Sequence, residues 1–422
     1  MCVFRVGFMR ILPSFDGILR PCPTDPFRID AYITPPLCPP AATLCKNSSN
    51  HCANLEIVHG NLFLSWFSGY REGWEQTGIA FSTLGLSNSF FNAWTLPQVI
   101  ATTRVRKFST QNPVPFFDRD TEILYIFPTR QPSKEKMLQD DPVPGQESLG
   151  KILVTSTHIS SQSSSHSSYN WKSIQTLNNA NGTWGRNSIL KKLDGSWIFP
   201  VYNESLKGLG HSNEISQLFI RQQNGSSSTK ILPFSTYWNN NPMKKSNYLV
   251  QPSVIRLISL QPKLRVYYRD RRAQFIYTAT SEDDGSTWTT PIATSLPNNN
   301  AGIHAIRLQS GAVVLIYNNM SGETKGDLRN ILTISLSDDY GETFPFTRVL
   351  EHHNPSTTIT DESRRFGGLG PTACDCYSYP TAIQSEDGFI HIAFTYQRRT
   401  IKYTKIKEEW IRKKGLDAPL CQ

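Results

Sequence analysis

The chain alternates between polar clusters and apolar β-type runs in a pattern that recurs six times. Each unit opens with a polar cluster, continues through an apolar run, makes a tight turn, and enters a second apolar run that ends in polar residues. The units begin near Asn54, Asn112, Asn187, Gln251, Gly302 and Tyr379. Their spacing of roughly 50 to 80 residues is typical of propeller blades that carry loop insertions. The pattern predicts an all-β fold, a six-bladed β-propeller.

A short turn motif occurs twice behind an apolar run, at residues 281–288 and 337–344. Both copies fit Ser-x-Asp-x-Gly-x-Thr-aromatic, which is known as the Asp-box. The Asp caps its own turn, the Gly occupies a backbone conformation in which a Cβ would clash, and the aromatic ring folds back over the turn. We therefore expect Asp-box hairpins on the outside of the blades, at the rim opposite the polar strand starts.

The length of 422 residues fits one propeller domain. We predict an N-terminal extension over 1–27, the propeller over 28–412 and a C-terminal tail over 413–422, with a helical stretch over 405–414. No apolar run approaches the roughly 18 residues of a membrane span. Arg5 and Arg10 interrupt the apolar core that a signal peptide would need.

The net charge of +9 is compatible with an anionic partner or with a solvated basic surface. The basic residues are spread along the chain and form no basic-aromatic motif, so we expect no nucleic-acid binding.

The eight cysteines lie only near the two chain ends: Cys2, Cys22, Cys38, Cys45, Cys52, Cys374, Cys376 and Cys421. Because a propeller joins its ends in one blade, these cysteines are expected to meet there as disulfides, which would suit an extracellular or lumenal location. Reduced thiols are the alternative. A zinc site is a third interpretation, but Cys374-x-Cys376 has no matching histidine pair.

Antiparallel neighbours place the starts of the innermost strands and the ends of the second strands at the same rim of the channel. The strand starts carry His51, Asn54, Gln111, Asn112, Arg186, Asn187, Gln251, His304 and Tyr379. The second-strand ends carry Arg71, Glu72, Arg130, Asn203, Glu204, Arg269, Asp270, Asn318 and Arg398. This set is too polar and too rich in arginine for a packed core. It predicts either a ring of salt bridges between blades or a carboxylate-binding pocket the size of a sugar.

Several segments carry a family resemblance: 50–54 (NHCAN), 66–69 with 71–73 (WFSG, REG), 111–113 (QNP), 269–271 (RDR), 296–300 (LPNNN), and 377–380 running into 393–396 (YSYP, AFTY). With the Asp-boxes, they resemble the sialidase (neuraminidase) superfamily, in its BNR/Asp-box repeat-like branch of exo-alpha-sialidase-like proteins. The resemblance spans roughly residues 28–412. It implies a retaining glycosidase with a tyrosine nucleophile partnered by a glutamate, an acidic proton donor, and three arginines that bind the sialic acid carboxylate.

On this resemblance Tyr379 is the expected nucleophile, with Tyr377 as a competitor, Glu204 is its base and Glu72 is the acid. The carboxylate ligands are expected to be Arg71, Arg269 and at least one of Arg130, Arg186 and Arg398. The remaining substrate-binding positions are Gln111, Asn112, Asn187, Gln251 and His304.

Two segments depart from the sialidase pattern. Residues 27–30 (FRID) are the nearest match to the sialidase Phe/Tyr-Arg-Ile-Pro motif, but they precede the first blade, so we interpret the match as coincidental. His51 has no counterpart in the sialidase mechanism and is a candidate acid or base for a different reaction.

Three functions remain open at this point. They are a sialidase-type exo-glycosidase, a polysaccharide lyase in which a His or Tyr removes the proton next to a uronate carboxylate, and a glycan-binding propeller without catalysis. All three take a glycan with an acidic sugar as partner, and none requires a metal or another cofactor. We expect a monomer.

Overall fold

The computed structural model describes residues 17–22, 25–33, 49–69, 72–75, 77–86, 93–133, 149–160, 169–177, 181–204, 211–222, 238–243, 245–322, 329–352 and 377–413. These residues form six antiparallel sheets arranged in a ring, the predicted six-bladed β-propeller. None of the helices in this part of the chain has the length and hydropathy of a membrane span.

The first three blades follow the chain. Blade 1 holds β3 (Ser49–Val58), β4 (Asn61–Gly69), β5 (Gly78–Gly85) and β6 (Gln98–Val99). Blade 2 holds β7 (Phe108–Asp118), β8 (Ile123–Pro132), β9 (Lys151–His158) and β10 (Gln175–Thr176). In blade 3 the inner edge is split into β11 (Thr183–Gly185) and β12 (Leu190–Lys191), which both pair with β13 (Trp197–Asn203). Strands β14 (Ser216–Arg221) and β15 (Trp238–Pro242) complete it.

The last three blades contain the Asp-boxes and the closure. Blade 4 holds β16 (Leu249–Arg256), β17 (Leu264–Asp270), β18 (Phe275–Ser281) and β19 (Ile292–Pro297). Blade 5 holds β20 (His304–Arg307), β21 (Val313–Asn318), β22 (Ile331–Ser337) and β23 (Phe346–His352). Blade 6 holds β24 (Tyr377–Gln384), β25 (Ile390–Tyr396), β26 (Thr400–Ile406), β2 (Asp25–Ile33) and β1 (Arg20–Cys22).

The two chain ends close the ring in blade 6, as the sequence predicts. Strand β2 pairs with β26 in the register Ile29↔Lys405 to Ile33↔Ile401. Arg28 is buried there and forms ion pairs with Asp30 and Glu351. Residues 27–30 therefore lie in an outer strand, away from the channel. The predicted helix is shorter than expected, α1 (Glu408–Arg412), because β26 extends to Ile406.

The cysteine prediction is only partly right. Cys22 is disulfide-bonded to a cysteine outside the described residues. Cys52 is a free, fully buried thiol on β3, the inner strand of blade 1. It packs in an apolar cluster with Phe67 and Ile79 and has no disulfide partner, so proximity in sequence to the other cysteines was misleading for this residue. The other six cysteines lie outside the described residues.

Both Asp-boxes form the hairpins that join the third and fourth strands of blades 4 and 5. In the second box, Asp339 accepts hydrogen bonds from the Thr343 amide (2.9 Å) and hydroxyl (2.5 Å). Gly341 has φ +89°, and a Cβ there would lie 1.9 Å from Tyr267 Oη. The boxes follow the ends of β18 and β22, which is the rim opposite the starts of the inner strands, as predicted.

Apolar side chains of facing sheets fill the space between blades. Between blades 2 and 3, for example, Val114 and Phe127 pack with Phe199 and Val201. This packing leaves the polar ends of the inner strands directed at the central channel.

Candidate functional site: the upper mouth of the channel

A bulge near the start of the inner strand recurs in blades 1, 2, 4 and 6. The pairing register shifts at 52–53, 112–113, 251–252 and 379–380. The first residue of each pair has a positive φ: Cys52 (60°), Asn112 (47°), Gln251 (51°) and Tyr379 (53°). Bulges re-aim side chains, and positive φ outside glycine concentrates at functional sites. In three cases proline follows, which suits a position where the ladder hydrogen bond is lost.

Tyr379 lies at the centre of this upper mouth. Arg269, at the end of β17, donates from Nη1 to Tyr379 Oη (2.9 Å) and to Gln251 Oε1 (3.1 Å). Arg269 Nε donates to Asn300 Oδ1 (2.8 Å). Gly302 permits the close approach, because a Cβ there would lie 3.3 Å from Tyr379 Cδ1 and 3.2 Å from Gln251 Oε1. Gln251 and Asn300, from two other parts of the chain, thus hold Arg269 against the phenol hydroxyl.

Three guanidinium groups surround the Tyr379 ring. The Cζ atoms of Arg186, Arg329 and Arg269 lie 5.1, 5.4 and 5.9 Å from the ring centre. Burial alone would raise the pKa of the Tyr379 hydroxyl, but the charges of Arg269 and Arg329 outweigh it and lower the pKa below its ordinary value. Arg269 is 5% exposed, and among the described residues no carboxylate pairs with it and Nη2 has no hydrogen-bond partner. The mouth is therefore suited to an anion.

His51 packs edge-on against Tyr379, with ring centres 4.2 Å apart. Its Nδ1 is 2.8 Å from Thr395 Oγ1. Burial, and then the charges of Arg398, Arg329, Arg186 and Arg269, holds the pKa of His51 well below its ordinary value. His51 is consequently neutral beneath the tyrosine.

The two candidate carboxylates sit in different surroundings. Glu72 Oε2 is 2.6 Å from Arg398 Nη1, and about a third of the Glu72 side chain is exposed. Glu204 lies 2.5 Å from Arg271 Nη2, and Arg271 also binds Glu214 at 2.7 Å. Burial raises the pKa of Glu204, and the neighbouring Glu214 adds to this, against Arg271 and Arg269. Among the described residues, no hydrogen bond joins either candidate carboxylate to Tyr379.

Tyr202 lies between Glu204 and the mouth. Gln251 Nε2 donates to Tyr202 Oη (3.3 Å), while Gln251 Oε1 accepts from Arg269. Burial, and then the charge of Glu204, raises the pKa of Tyr202 well above its ordinary value. Gln251 thus connects Arg269 to the side of the mouth that holds Glu204.

A layer of hydrogen bonds closes the channel below Tyr379. Arg186 donates to Asn54 Oδ1 (3.1 Å) and to the Pro380 carbonyl (2.8 Å). Asn54 donates to the Pro113 carbonyl (2.7 Å), and Asn187 donates to the Gln251 carbonyl (2.8 Å). We call Arg186, Asn54 and Asn187 the central plug. Each of them bridges blades, so Arg186 and Asn187, which are predicted substrate ligands, act as struts in this structure.

The other predicted ligands are spread more widely. Arg398 lies at the mouth with Glu72, and Asn112 occupies the blade 2 bulge. Gln111 donates to Ser109 Oγ (2.8 Å), and Arg130 Nε donates to Thr110 Oγ1 (3.2 Å), so both contact their own blade. His304 lies on the other side of the plug, where it contacts Ser188 and Ala382. Arg71 lies outside the described residues.

Sequence reasoning gave no site role to two residues at the mouth, Arg329 and Asn300, although Asn300 ends the 296–300 segment that carries the family resemblance. Arg329 lies two residues before β22, a third strand, and the antiparallel argument was applied only to the first two strands of each blade. Extending it by one strand would have included Arg329, because third strands start at the same rim. Asn300 lies in the connection between blades 4 and 5, which no strand pattern marks.

Within the described part of the chain, no group of three His, Cys, Asp or Glu side chains is placed to hold a metal ion. The fold and this site define a β-propeller with an arginine-lined, tyrosine-centred mouth. A family model for the BNR repeat-like domain matches residues 60–392, most of the chain. The chain therefore belongs to the BNR repeat-like domain family. A search of curated protein sequences gave no match.

Solved structures share the fold at low identity. The Hadza microbial sialidase Hz136 is 14% identical, with a TM-score of 0.60 over 86% of this chain and 66% of its own. The intramolecular trans-sialidase from Ruminococcus gnavus is 11% identical, with a TM-score of 0.59 over 87% and 96%. A Trypanosoma rangeli sialidase, solved with 2,3-difluorosialic acid as a covalent intermediate, is 10% identical, with a TM-score of 0.58 over 85% and 54%. The chain thus spans about two thirds of the first relative and about half of the last. At this identity the likeness establishes the sialidase-like fold.

Proposed function

We propose that the protein is a sialidase-like exo-glycosidase that removes a terminal acidic sugar from a glycan. Sialic acid is the first candidate for this sugar. The hydrogen bond from Arg269 to Tyr379 carries the proposal. It joins a phenol of lowered pKa to a buried guanidinium that lacks a carboxylate partner among the described residues. A sugar that carries a carboxylate at its anomeric carbon would place that carboxylate against Arg269 and its anomeric carbon against the Tyr379 hydroxyl.

In the proposed reaction, Arg269 binds the substrate carboxylate through Nη2, its unoccupied donor. The Tyr379 oxygen attacks the anomeric carbon, the bond to the leaving oxygen breaks, and an acid protonates that oxygen. Glu72 is our candidate acid, because its Oε1 has no hydrogen-bond partner among the described residues and the side chain reaches solvent. Water then releases the sugar from Tyr379. A tyrosine suits this step because a carboxylate nucleophile would be repelled by the substrate carboxylate.

Glu204 is our candidate base for Tyr379, although it makes no direct hydrogen bond to the phenol. It lies on the Tyr202 side of the mouth. There the charges of Arg271 and Arg269 oppose the rise in the pKa of Glu204, and Arg271 likewise opposes the rise in the pKa of Tyr202. The lowered pKa of Tyr379 reduces the demand on this base, because less free energy is needed to form the phenolate.

The absence of a hydrogen-bonded carboxylate at Tyr379, among the described residues, favours a second candidate function. In a lyase, the Tyr379 phenolate would remove the proton next to a uronate carboxylate, and Arg269 would stabilise the resulting negative charge. The Tyr379 hydroxyl formed in this way would then return a proton to the leaving oxygen as the carbon–oxygen bond breaks. The product would be an unsaturated sugar that absorbs ultraviolet light.

One experiment separates these functions. The purified protein is incubated with 2,3-difluorosialic acid, digested, and the peptide containing Tyr379 is analysed by mass spectrometry, in parallel with the Tyr379→Phe variant. A sialidase-type enzyme gives a glycosylated Tyr379 and releases free sialic acid from a fluorogenic sialoside. An ultraviolet-absorbing product from a uronate-containing glycan, with no trapped tyrosine, would identify the lyase. Binding without any product would identify a glycan-binding protein.

A further inference from the structure

The channel has a second compartment on the far side of the central plug. It is a cavity of about 400 Å³, a volume in the range of small-molecule sites, roughly 300–1,000 Å³. Leu55, Val254, Ile255 and Ala382 are among its apolar lining residues, and its polar groups include Glu56, Ser188, His304 and Arg307. None of the groups that surround Tyr379 at the upper mouth lines it. We call this cavity the lower chamber.

The hydrogen bonds of His304 determine which atoms it offers. The Ala382 backbone N–H donates to His304 Nδ1 (3.2 Å), so Nδ1 carries no proton. Burial lowers the pKa of His304 to about 3, and the ring is neutral at physiological pH. The single ring proton is therefore on Nε2, which faces Ser188 Oγ at 3.3 Å.

This tautomer excludes one chemistry and favours another. A histidine that donates from Nε2 to a serine cannot remove the serine proton, so Ser188 and His304 are not a nucleophile–base pair. Instead, Ser188 Oγ accepts from His304, and its own hydroxyl proton has no acceptor among the described residues. The Ser188 hydroxyl is therefore a polarised donor at the wall of the chamber.

The charges of the chamber also favour an acceptor-rich ligand. Within the part of the chain that the structure describes, Arg307 makes one hydrogen bond, from Nη1 to the Leu308 carbonyl (3.4 Å), and no acidic side chain pairs with it. Arg256 is balanced by Asp284 at 2.6 Å. Burial raises the pKa of Glu56 to about 7, and its two oxygens already accept from the Ile57 and Phe117 amides. Glu56 is thus only partly ionised near neutral pH, and both of its oxygens are already used by backbone amides.

We propose that the lower chamber is a second binding site, separate from the Tyr379 mouth, for a small sugar acid. The carboxylate would pair with Arg307, the ring or hydroxyl oxygens would accept from Ser188, and the carbon skeleton would contact the apolar wall. The apolar wall favours a ligand with a carbon skeleton over inorganic phosphate, which would also call for several converging donors. The site does not depend on catalysis at the mouth.

The test measures binding of D-glucuronate by isothermal titration calorimetry in a protein whose upper mouth is disabled by Arg269→Gln. D-Glucose and inorganic phosphate serve as comparison ligands. Binding of a methyl glucuronide is measured as well. It mimics a uronate linked at the end of a glycan chain, so its affinity relative to glucuronate shows whether the chamber prefers the free acid or the linked sugar. Arg307→Gln removes the carboxylate partner, Ser188→Ala removes the polar donor, and Arg412→Gln removes the same charge at the distant surface helix as a matched control.

We expect glucuronate to bind and glucose and phosphate to bind at least 10-fold more weakly, because a charge-assisted hydrogen bond contributes about that factor. Arg307→Gln should weaken glucuronate binding by about 10-fold or more, Ser188→Ala by a few-fold, and Arg412→Gln not at all, with melting temperatures confirming the fold. Equal glucuronate affinity in Arg307→Gln and its parent would overturn the proposal, as would stronger binding of phosphate. Turnover assays do not enter this result, so it stands or fails separately from the proposed glycosidase activity.

Discussion

Strand β17 carries two arginines on the same face, four residues apart, and the structure uses them in opposite ways. Arg265, at the lower end, donates to the Gly341 carbonyl (3.0 Å) and pairs with Glu342 of the second Asp-box. Arg269, at the upper end, donates to Tyr379, Gln251 and Asn300, none of which is charged in its ordinary form.

The difference shows what separates a structural arginine from a binding one in this fold. Both side chains are nearly fully buried and both lie on the same face of β17, so neither burial nor the strand face distinguishes them. The partner does. A guanidinium paired with a carboxylate has its charge balanced within the fold, whereas one bonded to neutral groups retains attraction for an external anion.

The largest expected effect concerns Tyr379. Tyr379→Phe removes only the attacking oxygen, so turnover of the acidic-sugar substrate should fall by about a thousandfold or more, while substrate binding changes little. Steady-state kinetics and calorimetry measure the two quantities. Tyr377→Phe is the matched control. Tyr377 lies two residues before Tyr379 in the sequence, and its ring is buried against Tyr396. An active Tyr379→Phe together with an inactive Tyr377→Phe would reverse our assignment of the nucleophile.

The second prediction tests the comparison of the two arginines directly. Arg269→Lys keeps the charge but loses Nη2, the donor proposed for the substrate carboxylate, and the hydrogen bonds that orient it. Substrate binding should therefore weaken 10- to 100-fold, about 1.4–2.8 kcal/mol. Arg265→Lys should leave binding unchanged and lower the melting temperature, because its fork holds the Asp-box. If the two variants have equal affinities for the substrate, the distinction based on partners is wrong.

The fold was more predictable from the sequence than the site, for a physical reason. Strands, turns and Asp-boxes depend on residues within about ten positions of one another, and that pattern predicts six blades and their closure. The contact between Arg269 and Tyr379 joins residues 110 positions apart, and the struts from Arg186 reach 132 and 194 positions away. Sequence placed these residues at one rim, but it could not separate a strut from a ligand.

One local feature of the site could nonetheless be recognised from the sequence alone. The dipeptides Asn112-Pro113, Gln251-Pro252 and Tyr379-Pro380 each open an inner strand, where a proline indicates a bulge. In the structure these bulges carry the positive-φ residues of the mouth. Cys52 occupies the same position in blade 1 without a following proline, and its identity as cysteine suggested a disulfide instead.

The third prediction concerns the opposite rim. Asp339→Ala should cost about 1–2 kcal/mol of unfolding free energy, since it removes the acceptor for Ser337 and Thr343. Activity per folded molecule should be unchanged. Burial would raise the pKa of Asp339, but hydrogen bonds from Ser337 and Thr343 lower it to about 2.

The sign of the pH dependence follows from that shift. Because the folded state binds the Asp339 proton less tightly than the unfolded state, its contribution to stability is complete above about pH 4 and is lost as the pH falls toward 2. Chemical denaturation of the wild type and Asp339→Ala at pH 7, 4 and 2 measures it. A stability difference that stays constant across these three values, or a loss of turnover in the folded variant, would remove the structural role from the box.

The last prediction concerns Trp288, the aromatic residue of the first Asp-box. Its ring is only half-buried against the apolar cluster between blades 3 and 4, and Nε1 donates to the Gly285 carbonyl at 3.1 Å. A fully buried tryptophan would cost about 3–5 kcal/mol on truncation to alanine, so this ring should cost about 2 kcal/mol. Trp288→Phe keeps most of the ring contact and should retain about half of that stability. Thermal melts of Trp288→Ala that match the wild type would show that the ring does not clip the hairpin, while any change in substrate affinity would link this rim to the mouth.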